Sequence, residues 1–424
     1  MMQRALVLAV AALFLAAPAL AAKEPKRAAP KTKKVEAVSK KVYKLLTEAN
    51  EALQAEKPDY ALAAEKLNAV LANPKANSHE QALVQQTFGY LYSSQEKYGL
   101  SIKSFEKALA LDALPDSAQL NTQFNLGQLY MLQEQYDKGI QILTDWFGKA
   151  TNPAASAYML MANAYAQKAS GMNDDKREKA AYRNAWKWAK QGLAKMDKAK
   201  PREPWMRLGT QLNLALEDYK TAGYWLEQLV RRWPKETYLK QLTAIYGQLD
   251  KPRRALIAME MAQMEGYLDE SKEFERLGQL YLYNEVPYKA AILLEEKIAD
   301  GTVAKNEKNW ELLANSWTMA REYDKALAPL ERAASLADDG KLYIRLGQLH
   351  IDGEHWKKAE AAIRKGINKG GLKAKGEAYL LLGIAQFQAD EYGAARKSFN
   401  RARKDKKTAK SAAAWIQAIN ARAS

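Results

Sequence analysis

Residues 88–108 read FGYLYSSQEKYGLSIKSFEKA, and this stretch contains the pattern that decides the fold. A large apolar residue, a small residue and an aromatic residue stand at Phe88, Gly89 and Tyr92. A second aromatic residue follows, and small or apolar residues come after it at helical spacing: Tyr98, Ser101, Phe105 and Ala108. Apolar residues three and four positions apart lie on one face of an α-helix. The stretch therefore predicts two amphipathic helices joined by a short turn.

The same pattern recurs along most of the chain. Its small residue falls at positions 89, 127, 162, 210, 243, 278, 314, 347 and 383, so the steps are 38, 35, 48, 33, 35, 36, 33 and 36. A period of about 34 residues is typical of repeated helix-turn-helix units. Because no such unit can bury its apolar face alone, the units are expected to stack around one continuous core.

This pattern resembles the tetratricopeptide repeat, in which a large apolar residue, glycine and an aromatic residue are followed by alanine and further apolar positions. The resemblance implies an all-α fold, a right-handed superhelical solenoid of antiparallel helix pairs. About nine to ten repeats are expected, including a partial one with Tyr60 and Leu67, whose first helix would cover about 38–54. A C-terminal helix over about 408–421 would cap the last repeat.

The repeats and their flanks predict a domain organisation. It comprises a signal peptide at 1–22, a basic leader rich in proline and lysine at 23–41, a divergent repeat at 42–80, repeats at 81–200 with an insertion near 170–181, further repeats at 201–405, and a capping helix at 406–424. The insertion is either a binding loop or tolerated extra length. The unit around Gly209 lacks the central aromatic residue and follows Pro201 and Pro204, which predicts a bend or a linker there.

The first residues have the features of an export signal. Arg4 precedes a 13-residue apolar run, and Pro18 and a small-residue site around Ala21 follow it. The run is shorter than the roughly 20 residues that span a bilayer. We therefore expect a cleaved signal peptide and a periplasmic protein; the alternative is that the segment is retained as an anchor.

The charge of the chain is strongly positive, with 65 basic and 49 acidic residues and a formal net charge of +16. Basic residues cluster between Lys23 and Lys41 and again between Arg396 and Lys410. An exported protein meets little nucleic acid, so no nucleic-acid partner is expected. Anionic membrane lipids, cell-wall polymers or acidic proteins are favoured as partners, and the alternative is a charge that serves solubility alone.

Residues for catalysis or metal binding are scarce. The chain has no cysteine and three histidines, which excludes thiol nucleophiles and thiolate metal sites. His350 and His355 are expected on different faces of a helix, where packing explains them better than metal binding. The sequence therefore predicts no catalytic residue, no cofactor and no metal, and a non-enzymatic protein.

A binding surface is predicted on the first helix of each unit. The position after the small residue is mostly an amide, and the candidate partner-binding residues there are Tyr90, Gln128, Asn163, Gln279, Asn315 and Gln348. An amide can donate to and accept from the backbone of an extended or helical peptide. The alternative is that these amides bond the neighbouring helix. Lys272, Lys308 and Lys341 are predicted to add a positive rim.

The resemblance extends to a class of whole proteins. An exported chain of about ten repeats with a basic leader is similar to the periplasmic tetratricopeptide repeat proteins that accompany TonB, ExbB and ExbD in Gram-negative bacteria. It implies an adaptor that supports TonB-dependent energy transduction for iron-siderophore transport across the outer membrane. The alternatives are a scaffold for envelope polysaccharide export or outer-membrane assembly, and a wall-directed enzyme or its regulator.

Overall fold

The computed structural model describes residues 33–423, and all its regular structure is helical. Its 21 helices are α1 (Lys40–Gln54), α2 (Tyr60–Leu71), α3 (Ser78–Ser94), α4 (Tyr98–Ala110), α5 (Asp116–Leu132), α6 (Tyr136–Lys149), α7 (Ala155–Ser170), α8 (Asp175–Ala194), α9 (Glu203–Ala215), α10 (Tyr219–Arg232), α11 (Glu236–Gln248), α12 (Pro252–Met264), α13 (Ser271–Tyr283), α14 (Pro287–Ala299), α15 (Glu307–Met319), α16 (Tyr323–Leu336), α17 (Lys341–Asp352), α18 (Trp356–Lys369), α19 (Lys375–Gln388), α20 (Tyr392–Ala402) and α21 (Ala409–Ala423). No helix within these residues has the length and apolar character needed to cross a membrane.

The helices form ten consecutive pairs, and α21 follows the last pair. We call the first, odd-numbered helix of each pair the A helix and the second the B helix. The chain divides into two compact units, one ending at Trp225 and one beginning at Leu226, so the division falls within α10. Each of the other B helices packs on its own A helix and on the next odd-numbered helix along the chain. The predicted all-α fold of repeated helix pairs with a final helix is confirmed.

The small residues of the sequence pattern lie where the two helices of a pair come closest. A Cβ added at Gly89 would lie 2.4 Å from the ring of Phe105, and one at Gly383 would lie 2.5 Å from the ring of Phe399. Both rings are almost completely buried. A larger side chain at these positions would push the helices apart, which is why the small residue recurs with the period of the pairs.

The turns between A and B helices share an unusual backbone conformation. In eight of the ten pairs one residue of the turn has a positive φ and is not glycine: Glu96, Glu134, Glu217, Asp250, Glu285, Arg321, Glu354 and Asp390. L-residues other than glycine adopt this left-handed conformation at a cost of about 1 kcal/mol or more. The turns are therefore locally strained.

A buried carboxylate connects the first two helix pairs. Glu80 accepts hydrogen bonds from the backbone N–H of Ser39, at 2.8 Å, and of Asn77, at 3.0 Å, and these residues cap α1 and α3. Burial alone would raise the pKa of Glu80, but these bonds outweigh it, so the pKa is lowered. The contact fixes the start of α1 on α3 in the predicted divergent repeat.

The structure describes part of the predicted leader and all of the predicted insertion. The signal peptide at 1–22 and leader residues 23–32 lie outside the described residues, while Lys33 pairs with Asp112 at 2.7 Å. At the predicted insertion, α7 ends at Ser170 and α8 begins at Asp175. The extra residues of the long repeat extend α8 to 20 residues, so the connecting loop itself is short.

Candidate functional site

Six of the predicted binding residues lie on A helices directly after the buried small residue. In the first unit Tyr90, Gln128 and Asn163 stand on α3, α5 and α7; in the second unit Gln279, Asn315 and Gln348 stand on α13, α15 and α17. Tyr90 and Gln279 are exposed, and the other four are half-buried. Each unit therefore presents its own row of accessible polar groups at one position per helix pair.

Four of these side chains keep their hydrogen-bonding groups free. Among the residues described, the side-chain amides of Gln128, Asn163, Gln279 and Asn315 make no hydrogen bond. Bonding to the neighbouring helix, the alternative interpretation of these amides, is therefore not seen for them. Free amides on an accessible surface can bond a ligand without first breaking internal bonds.

The other two predicted residues are engaged within the fold. Gln348 donates to the carboxylate of Asp352 at 2.9 Å, one turn further along α17. The hydroxyl of Tyr90 accepts a hydrogen bond from Asn125 at 3.1 Å, and its ring packs edge-on against Phe105. Partial burial of Tyr90 raises its pKa above the usual range, and the hydrogen bond from Asn125 acts against this. These two positions are thus part of the structure of their repeats.

The positive rim is weaker than the sequence predicts. Lys308 pairs with Glu275 at 3.0 Å, and Lys341 pairs with Asp339 at 2.5 Å. Burial acts to raise the pKa of Glu275, but hydrogen bonds from Lys308, Ser271 and Asn309 lower it. Within the described part of the chain, Lys272 makes no ion pair or hydrogen bond, so it alone of the three predicted lysines presents an unpaired charge.

Two exposed apolar side chains stand next to the free amides of the second unit. Tyr283 follows Gln279 by four residues on α13, and Met319 follows Asn315 by four residues on α15. Residues four apart on a helix lie on the same face. Tyr283 is 68% exposed and Met319 is 53% exposed. The two A helices contact each other, so amide and apolar groups form one surface, the α13–α15 surface.

Neither Tyr283 nor Met319 was predicted from the sequence, although their positions carry a signal. Both stand at the same position of their repeats, one turn after the amide. An apolar residue there does not pack in the core, so its presence in two neighbouring repeats indicates a surface contact.

A second feature that sequence analysis missed links successive helix pairs. A tyrosine on an A helix donates its hydroxyl proton to a glutamate on the preceding B helix, and a basic residue of the next B helix lies over its ring. This occurs for Tyr130 with Glu106 and Lys138, Tyr246 with Glu227 and Arg254, and Tyr281 with Glu260 and Lys289. Burial and the glutamate raise the pKa of Tyr246 to about 12. These clusters therefore link each A helix to the B helices before and after it.

His350 stands at the position that those tyrosines occupy. Its ring is buried, its Nδ1 has no hydrogen-bond partner, and its pKa is lowered by burial and by neighbouring His355 and Lys358. The expectation that His350 and His355 point to different faces is wrong: their rings meet edge to face, 5.8 Å apart. His355 lies beyond the end of α17 and caps α18, so helical spacing does not separate the two rings.

The described residues hold no group of three or more histidine and acidic side chains able to bind a metal ion. The side chain of His350 is buried at the position where other A helices have a tyrosine.

Comparison with known proteins identifies one of the repeats. Residues 84–113, which span most of α3, its turn and α4, match the tetratricopeptide repeat family. No curated protein matches the chain.

Solved structures of repeat proteins resemble parts of the chain. A tetratricopeptide repeat protein from Parabacteroides merdae is 17% identical, with a TM-score of 0.38, over 66% of this chain and 99% of its own. MamA is 20% identical, with a TM-score of 0.33, over 39% and 89%. YrrB, described as a tetratricopeptide repeat protein with an unusual peptide-binding site, is 13% identical, with a TM-score of 0.36, over 45% and 97%. Likeness of this degree says nothing about the function of this chain.

Proposed function

We propose that this tetratricopeptide repeat protein is a non-enzymatic adaptor that binds extended or helical segments of partner proteins on its A helices. The observation that carries the proposal is the α13–α15 surface. There, two free amides stand one helix pair apart, and each has an exposed apolar side chain one turn away. A surface of this kind offers hydrogen bonds for a peptide backbone and contact area for its side chains.

The chemistry of the surface specifies what a ligand must offer. Gln279 and Asn315 can each donate to a peptide carbonyl and accept from a peptide N–H, which holds a backbone whatever its sequence. Tyr283 and Met319 favour an apolar ligand residue, and methionine adapts to residues of different shape. Lys272 favours an acidic residue beside it. The preferred ligand is therefore a segment with apolar residues and a nearby carboxylate.

At a finer level, we propose a periplasmic location and a role with TonB, ExbB and ExbD in energy transduction to outer-membrane siderophore receptors. The export-signal pattern at residues 1–22 and the repeated helix pairs support this role. The proposal includes contact of the basic ends of the chain with an anionic membrane or cell-wall polymer. The alternative is a scaffold for polysaccharide export or outer-membrane assembly.

The binding surface is tested by replacing both amides. The double variant Gln279→Ala/Asn315→Ala is expected to bind its partner about thirtyfold more weakly than the wild type, and to crosslink correspondingly less of it, because each lost hydrogen bond contributes roughly 1 kcal/mol. Crosslinking is carried out in living cells, and captured proteins are quantified by mass spectrometry. The matched control is Asn368→Ala/Asn400→Ala, which removes two exposed amides from the B helices α18 and α20. Equal capture by both double variants contradicts the proposed surface.

The identity of the captured proteins tests the finer proposal. Under iron limitation we expect TonB, ExbB or ExbD among them, and a strain without the gene should grow poorly when a ferric siderophore is the iron source. Capture of polysaccharide-export or outer-membrane assembly proteins with normal siderophore-dependent growth supports the alternative. Hydrolysis of peptidoglycan by the purified protein would refute the non-enzymatic role.

A further inference from the structure

We propose that the C-terminal end of the chain binds the surface of an anionic lipid bilayer. The inference rests on the part of the proposed function that gives the basic ends an anionic partner, and it chooses the membrane over the other anionic partners. Six exposed side chains, which we call the basic patch, form the contact: Lys373, Lys375, Arg403, Lys404, Lys406 and Lys407.

The charge of the chain is concentrated near this patch. Residues 356–424 contain 16 basic and 5 acidic residues, a net charge of +11, while the whole chain has a net charge of +16. Solubility alone needs no such concentration, because dispersed charge serves it as well. A concentrated positive field attracts a negatively charged surface over about a Debye length.

The fold brings the six side chains together from two segments of the chain. Lys373 belongs to the α18–α19 connection and Lys375 is the first residue of α19, while the other four belong to the α20–α21 connection. The segments touch: a Cβ added at Gly376 would lie 2.4 Å from Cβ of Asp405 and 2.7 Å from the hydroxyl of Thr408. Residues far apart in sequence thus form one continuous surface.

The six basic side chains are unpaired. Within residues 33–423 none of them makes an ion pair or a side-chain hydrogen bond. The acidic residue between them, Asp405, accepts a hydrogen bond from the backbone N–H of Lys407 at 3.0 Å. Their charges are therefore available to a partner, in contrast to Lys308 and Lys341 on the A helices.

The helices that begin at the patch add to its positive potential. The 14-residue α19 begins at Lys375, and the 15-residue α21 begins at Ala409. The N-terminus of a helix carries a partial positive charge and unbonded N–H groups. No side-chain hydrogen bond caps α19, and its first turn contains a single acidic residue, Glu377.

The composition of the patch favours a membrane over a nucleic acid or a folded protein. Five of the six residues are lysine, which acts as a point charge and lacks the planar fork that recognises individual phosphates. Of the described residues after Leu336, no large hydrophobic side chain is exposed, so the patch lacks the apolar platforms on which bases stack and the anchors that fill an apolar pocket. A plane of lipid headgroups requires only dense positive charge.

Vesicle sedimentation tests the inference with the full chain. We expect it to sediment with vesicles of phosphatidylcholine and phosphatidylglycerol but not of phosphatidylcholine alone, and to be released by salt. The triple variant Lys404→Gln/Lys406→Gln/Lys407→Gln should bind roughly a hundredfold more weakly, since each lysine near such a surface contributes about a factor of five. The matched control Lys57→Gln/Lys75→Gln/Lys103→Gln removes three exposed lysines of the first unit and should bind as the wild type does.

Three results would overturn the inference. The first is equal sedimentation with uncharged vesicles, and the second is equal weakening in both triple variants, which would indicate net charge alone. The third is binding of polyglutamate or duplex DNA that is as tight as vesicle binding and equally sensitive to the three lysines. The crosslinking experiment with the Gln279→Ala/Asn315→Ala variant is independent of vesicle sedimentation. Failure of the adaptor role can therefore be distinguished from failure of the membrane contact.

Discussion

At the scale of the residue, His350 shows how one position of the repeat is reused with a different chemistry. Where Tyr281 donates to Glu260, the imidazole of His350 leaves its Nδ1 without a partner. The groups around it are His355, Lys358 and Glu331, and of these only Glu331 favours its protonated form. A buried neutral imidazole beside two basic groups resists protonation, so this junction depends on pH.

The first prediction concerns this histidine. Because its pKa in the folded protein is lowered below 6.5, its contribution to stability is complete above that pH and decreases as the pH falls below it. The variant His350→Tyr should remove this loss and restore a hydroxyl facing Glu331. Thermal unfolding at pH 7.5 and pH 5.5 is expected to show a smaller decrease for the variant than for the wild type.

His355→Gln is the companion variant for that prediction. It removes one of the groups that lower the pKa of His350, so its loss of stability between pH 7.5 and pH 5.5 should lie between those of the wild type and His350→Tyr. If His350→Tyr loses as much thermal stability between pH 7.5 and pH 5.5 as the wild type does, the prediction is wrong. Other groups, such as the carboxylates that bond helix caps, would then determine the pH dependence of stability.

Single residues also show which contacts can be predicted from the sequence and which cannot. It could predict that Gln279 and Asn315 line an A helix, because position in the repeat fixes the face. It could not predict that Lys308 is neutralised by Glu275, because the partner lies 33 residues away on another helix. The edge-to-face contact of His350 and His355 was likewise hidden, since it depends on where α17 ends.

At the scale of the element, the close approach within a helix pair depends on its smallest residue. Gly383 of α19 faces the buried ring of Phe399 of α20, whereas a Cβ added at Gly393 of α20 would meet no neighbouring heavy atom within 4 Å. Both glycines are helical and lie in the same pair. They therefore separate the effect of packing from the effect of helix propensity.

The second prediction follows from this difference. Gly383→Ala should destabilise the last helix pair by about 1–3 kcal/mol through overpacking. Gly393→Ala should stabilise it by up to about 1 kcal/mol, because alanine is the better helix former. Urea unfolding combined with hydrogen exchange of α19 and α20 amides checks both. Destabilisation by Gly393→Ala would contradict the open space beside Gly393.

The starts of the first and last helices agree closely with those predicted from the sequence. The first helix begins at Lys40, two residues after the expected start, and the last begins at Ala409, one residue after it. The insertion in the third predicted repeat differs in character, because the extra residues continue the helical pattern of α8 and lengthen that helix. Length alone cannot distinguish a longer helix from a longer loop.

At the scale of the whole molecule, an open stack of helix pairs needs a final element that covers its last apolar face. α21 performs this role: Trp415 stacks on Phe399, with ring centroids 5.7 Å apart, and contacts Phe387 edge-on. Its exposed face carries Ser411, Gln417 and Asn420. A polar outer face on the terminal element keeps further chains from adding to the stack.

The third prediction is that a chain ending at Thr408 loses protection in its last helix pairs and self-associates. Removal of α21 uncovers Phe387, Phe399 and Ala402, which are buried in its presence. Hydrogen exchange should accelerate in α17–α20 and stay unchanged in α1–α4, because each helix pair contacts only its neighbours. Gln417→Ala, on the outer face of α21, is the control and should leave both exchange and association as in the wild type.

The eight strained turns are also sites where substitutions could raise the thermal stability of the protein. Each of these turns holds an acidic or basic residue in a conformation that glycine or asparagine adopts more readily. None of the eight belongs to the α13–α15 surface or to the basic patch. A lineage exposed to rising temperature would therefore have several separate substitutions at hand, each of roughly 1 kcal/mol, that raise thermal tolerance without altering either contact with a partner.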